Sequence, residues 1–157
     1  MKLSETFSYS GADVDTVYGI ITDEAFRIEA CEDQGALEYE VTIDDNVVTI
    51  LRTMPAELPD FVRKLTGETV KVKQTEIWTD PGDGSLVADV KVSIIGQPAE
   101  LLGTATLSPD GADGTTFVVQ GDVKVSIPLI GRKIEPIIHE QIVKSLRAEV
   151  ELGVTKI

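Results

Sequence analysis

Apolar residues alternate with polar ones along most of the chain, and the places where the alternation fails divide it into elements. From Leu3 through Phe7 to Tyr9 the odd positions are mostly apolar and the even ones are Ser or Thr, the two-residue period of a strand. Asp13 can cap a helix carrying Val14, Val17, Tyr18 and Ile21. Thr22 or Asp23 can start a second helix through Ala25, Phe26, Ile28 and Glu29, which Gly35 stops. Leu37 to Ile43 and Val47 to Met54 alternate on either side of Asp44-Asp45-Asn46, as a tight hairpin requires. Between Pro55 and Gly67, Leu58, Phe61, Val62 and Leu65 fall at i, i+3, i+4 and i+7, so a short amphipathic helix interrupts the strands. Period 2 returns with Val70, Val72, Ile77 and Trp78, ending at the turn from Asp80 to Gly84, and continues in Val87 to Ile95, Ala99 to Leu107 and Thr115 to Ile127. In the last run Phe117, Val119, Val123, Val125 and Ile127 share one face and Gln120, Asp122, Lys124 and Ser126 the other. These runs make seven strands joined by turns short enough for antiparallel neighbours.

From Gly131 onward the period becomes 3.6. A helix from about Lys133 to Val154 would be roughly 33 Å long at 1.5 Å per residue. Pro136 suits a first turn, so the main helix is expected to begin near Glu135 with the preceding turn bent away. Ile134, Ile138, Ile142, Leu146 and Val150 form an apolar arc opposite Lys133, Glu140, Lys144, Arg147 and Glu151. Glu135, His139 and Glu149 fall inside the apolar arc. On a structural reading Glu135 sits near the helix N-terminus, where the dipole favours a carboxylate, and pairs at i, i+4 with His139. On a functional reading the three are the few polar groups of an apolar pocket and orient its ligand. Glu149 lies about 21 Å along the axis from Glu135, too far for a paired acid and base. It has no Lys or Arg at i±3 or i±4, so its partner must come from the sheet, the solvent or a bound molecule.

Composition narrows the function. With 157 residues, 42% hydrophobic and 26% charged, the chain reads as one domain, residues 1–157, with an ordinary core. Its 27 acidic against 14 basic residues give a net charge of −13, which repels a phosphate backbone and excludes nucleic acid as a natural partner. One His and one Cys cannot build a His/Cys zinc site, and Cys31 has no partner for a bridge, so no metal or other cofactor is expected. There is no phosphate-binding glycine loop and no nucleophile elbow, and the acidic turns at Asp80 to Asp83 and Asp110 to Asp113 read as hairpin turns. No apolar run reaches the length of a signal peptide core or of a membrane span, so a cytoplasmic protein without stable membrane insertion is expected. Trp78, on a strand, reads first as a core residue.

Strand, two short helices, six strands and a long C-terminal helix, in that order, resemble the helix-grip fold of the START-like superfamily of polyketide cyclases, dehydrases and lipid transporters. Within it, Leu58-Pro59-Asp60 with Gly67, Thr75-Glu76-Ile77-Trp78, Gly96-Gln97-Pro98 and the run Pro128 to Glu135 are similar to a family of domains of unknown function. The resemblance implies an α+β fold, with a curved antiparallel sheet around the long helix and a hydrophobic small molecule bound between them. Gly103 and Gly121 permit the bending such a sheet needs. On this reading His139, Glu149, Glu135, Ile138, Ile142, Leu146 and Trp78 contact the ligand, while Leu58, Phe61, Leu65, Leu129 and Ile130 gate the entrance. Two alternatives remain open from sequence: a cyclase in which His139 shuttles a proton, and a ligand-free protein-interaction module.

Overall fold

A computed structural model describing residues 1–157 contains β1 (Lys2–Tyr9), α1 (Val14–Ile21), α2 (Glu24–Asp33), β2 (Glu38–Asp44), β3 (Val47–Pro55), α3 (Asp60–Thr66), β4 (Thr69–Thr79), β5 (Leu86–Ile94), β6 (Ala99–Asp110), β7 (Gly114–Val125) and α4 (Gly131–Val154). The seven strands form one antiparallel sheet in the order β1-β7-β6-β5-β4-β3-β2. β2 to β7 are therefore a meander, and β1 adds beside β7 at the far edge. The helices α1 and α2 carry the chain from β1 at one edge to β2 at the other.

Local signals account for the starts of α1 and α2. The Asp13 carboxylate accepts from the Thr16 N–H at 2.8 Å and that of Asp23 from the Phe26 N–H at 3.1 Å, so each side chain satisfies a first-turn donor that the helix leaves free. Gly35 ends α2 with φ +81, a left-handed conformation that costs glycine little.

Period 2 decides which side chains enter the core. Val48 and Ile50 of β3, Trp78 of β4, Ala88 of β5, Leu101 and Leu107 of β6, and Val119 and Val123 of β7 are all buried on the face that α4 covers. From α4, Ile134, Ile138 and Val150 are buried against them. Gly103 pairs with Gly121 across β6 and β7. A Cβ on Gly103 would stand 2.0 Å from the Gln120 carbonyl oxygen, so no side chain fits where these strands close up.

Two expectations need correction. α4 is continuous from Gly131, so Pro136 lies inside the helix. Both Pro136 and Arg132, whose carbonyl loses its i→i+4 donor, are on the exposed side, where the missing bond and the ring are tolerated best. The alternation that continues to Ile127 also outruns the strand: β7 ends at Val125, because the Ser126 N–H still bonds to the Pro98 carbonyl opposite it but Pro98 has no N–H to return the bond.

Candidate functional site

The sheet and α4 do not close completely on each other. Near the β2 edge a cavity of about 440 Å³ opens between the inward faces of β3 to β6, the end of α2, the segment after β3, and α4. Its apolar wall includes Met54, Val72, Val92, Ile94, Ile138 and Ile142, with Leu58 at its margin. A smaller cavity of about 60 Å³ lies deeper and shares Arg52, Val92, Leu101, Ile142 and Ser145 with the first, so the two adjoin there. The inner space admits a few water-sized groups only. A ligand of any size must occupy the outer one.

The inner cavity is walled by a buried charge network. Arg27 of α2, 2% exposed, donates through both terminal nitrogens to Glu76 of β4, at 2.8 and 3.0 Å, and through Nε to the Ile21 carbonyl at 2.5 Å. Its Nη1 also lies 2.9 Å from Glu149 of α4. Glu76 accepts further bonds from Gln74 at 2.6 Å and from the Trp78 indole at 3.0 Å. Burial opposes the Arg27 charge, but Glu149 and Glu76 outweigh it and hold the guanidinium above the ordinary arginine pKa. Tyr9 at the same wall is pushed well above its usual value, mainly by burial and then by Glu149. Every buried polar side-chain atom has a hydrogen-bond partner, so this network is fully satisfied.

Arg52 is different. It projects from β3 on the inward side, in step with the buried Val48 and Ile50, and lines both cavities where they adjoin. Burial raises the pKa of the neighbouring Cys31 thiol, and Arg52 opposes that shift in part.

Of the residues expected to contact a ligand, Ile138 and Ile142 line the outer cavity and Trp78, Leu146 and Glu149 the inner one. Glu149 takes its partner from α2, a source outside the three weighed from sequence. His139 lines neither cavity. Glu135 does not pair with His139. Its carboxylate accepts from the Val125 N–H at 3.1 Å and lies 3.4 Å from the Met1 amine, and the backbone bond is the first reason its pKa falls below the ordinary carboxylate value. Of the gate residues Leu58 alone lines the cavity. Phe61 and Leu65 are 46% and 42% exposed on α3, and Leu129, 99% exposed, precedes α4 beside Ile130.

Sequence reasoning missed Arg27, Arg52, Gln74 and Glu76. Strand parity was the available signal, since Gln74 and Glu76 stand in step with Val72 and Trp78, and Arg52 with Ile50 and Met54. Arg27 was legible as a charge on the face of α2 that carries Ala30 and Cys31.

An open antiparallel sheet wrapped on a long C-terminal helix, with an apolar cavity between them, defines the helix-grip, START-like class of proteins. The Zhui aromatase/cyclase of Streptomyces sp. R1128 superposes with a TM-score of 0.67 at 10% identity, over 99% of this chain and 92% of that one. A STAR-related lipid transfer protein fragment from Xanthomonas axonopodis superposes with a TM-score of 0.64 at 20% identity, over 96% and 85%. At these identities the likeness shows the fold. Residues 4–157 match the family described as "Protein of unknown function (DUF2505)", and the chain belongs to that family. The uncharacterized protein Rv0481c of Mycobacterium tuberculosis is 31% identical over 130 residues, 82% of this chain and 70% of the relative.

Proposed function

We propose that this protein binds a hydrophobic or amphipathic small molecule in the outer cavity, as a carrier, sensor or chaperone. The observation that carries the reading is the cavity itself: about 440 Å³, with an aliphatic wall that makes up about half of its lining, charged side chains at its margin and Arg52 where it meets the inner cavity. This falls within the roughly 300–1,000 Å³ of ordinary small-molecule sites. Fold neighbours named as a lipid transfer protein and as an aromatase/cyclase are compatible with such a ligand. The cyclase alternative for this chain relied on His139, which lines neither cavity, so binding without chemistry has the better support. A pure interaction module leaves the cavity without a role.

Access runs past Leu58, where the segment after β3 borders the cavity; Phe61, Leu65, Leu129 and Ile130 lie outside its lining and have no part in the gate proposed here. That segment moves when ligand enters. Hydrogen exchange should find it less protected than the central strands, and slower to exchange once ligand is bound. Equal protection that ligand leaves unchanged contradicts the gate.

Two measurements test the binding itself. Native mass spectrometry of protein from its own host should detect a co-purifying apolar molecule. A fluorescent fatty-acid analogue should bind the parent and lose affinity for Val72→Trp, which fills the outer cavity. Undiminished binding to a folded Val72→Trp variant would place the ligand elsewhere and refute the reading.

A further inference from the structure

We infer that the ligand of the outer cavity carries a single carboxylate and that Arg52 is its anchor. This deepens the cavity reading above and rests on it. Arg27 is already neutralised within the protein, since its nitrogens serve the Ile21 carbonyl and the two carboxylates Glu76 and Glu149. Arg52 takes part in none of the chain's ion pairs and donates none of its side-chain hydrogen bonds to protein oxygen. No buried polar side-chain atom is left without a partner, so the Arg52 nitrogens that bond nothing in the protein are open to solvent where the two cavities adjoin, with the Cys31 thiol as their neighbour.

That arrangement is unusual in this chain. Carboxylates outnumber cations 27 to 14, yet this half-buried guanidinium has none within 4 Å. A guanidinium with uncommitted donors at the end of an apolar cavity is placed to bond an anionic ligand, and hydrogen bonds between charged groups are the stronger kind. The planar fork of Arg suits a carboxylate, which it can grip through two parallel bonds.

The surrounding charges determine both orientation and valence. Asp33, Glu57 and Glu100 line the outer cavity, and Lys144 there lies 3.7 Å from Glu57. This acidic margin disfavours a doubly charged head such as a phosphate monoester. Beyond Arg52 the inner cavity presents Glu76 and Glu149, which stop an anion from going deeper. The carboxylate therefore rests at the neck, and the apolar body fills the outer cavity against Met54, Val72, Ile94 and Ile142.

The test compares matched ligands, dodecanoate with dodecanol and hexadecanoate with hexadecanol, by calorimetry on the full chain. The parent should bind each acid at least about tenfold more tightly than its alcohol, the range of a hydrogen bond to a charged group. Arg52→Gln should abolish that preference by weakening the acids more than the alcohols, and Arg52→Lys should restore part of it. Alcohols and acids bound equally by the parent, or an acid preference that survives Arg52→Gln, overturn the carboxylate assignment and leave the cavity reading standing. Absence of binding by all four compounds overturns both.

Discussion

Arg27→Met removes the one cation that Glu76 and Glu149 share inside the protein. Glu76 is 5% exposed and would keep only the Gln74 and Trp78 donors, so a full negative charge would stay out of water with neutral partners. Losing one member of a buried pair costs about 3–5 kcal/mol, against a total stability of about 5–15 kcal/mol for a domain. For a chain of this size that is a fall in Tm of roughly 6–20 °C. The penalty comes from charge, not from lost packing, and two comparisons separate these causes. Arg27→Met with Glu76→Gln keeps an acceptor for Trp78 but no charge, and should recover about 1–3 kcal/mol of the loss. Glu149→Gln alone should cost about 1 kcal/mol or less, because Glu149 is 17% exposed and Arg27 retains both bonds to Glu76. Urea unfolding of the parent and the three variants at neutral pH measures all of these. A loss below about 1 kcal/mol for Arg27→Met, or a further loss on adding Glu76→Gln, would refute the reasoning.

Three other outcomes follow from particular contacts. Ile134→Ala, at a site 3% exposed, should cost about 2–5 kcal/mol, whereas Ile142→Ala should cost less than about 2 kcal/mol because its side chain already borders open volume; equal losses in denaturant titration contradict the assigned cavity. Gly103→Ala would set a Cβ 2.0 Å from the Gln120 carbonyl oxygen and must separate β6 from β7, so a loss above about 2 kcal/mol, or failure to fold, is expected, and a calorimetric Tm within a degree or so of the parent's refutes it. Glu135 has a lowered carboxylate pKa, so its stabilisation is present above the unfolded value and is lost as pH falls through the folded one; Tm measured against pH should decline less steeply on the acid side for Glu135→Gln than for the parent.

The order and type of the elements were legible along the chain because they depend on neighbours in sequence. Period 2 marks seven strands, period 3.6 marks the long helix, and Asp13 and Asp23 cap helices through bonds only three residues long. The motifs from Leu58 to Glu135 carried the family as well. The candidate site was only partly legible. Ile138, Ile142 and Glu149 were visible on the apolar arc of α4, but the same arc also offered Glu135 and His139, because helical arithmetic gives a face and not what stands opposite it. In the fold, β7 presents the Val125 N–H to Glu135, while α2 brings Arg27 to Glu149 from a position 122 residues earlier. Strand parity turns Glu76 and Arg52 inward, yet it cannot tell that one meets Arg27 and the other meets open volume. The periods reflect local stereochemistry, which each segment carries with it. Pairing of buried charges and the space left between sheet and helix exist only once distant segments have packed, so the tertiary structure alone decided them.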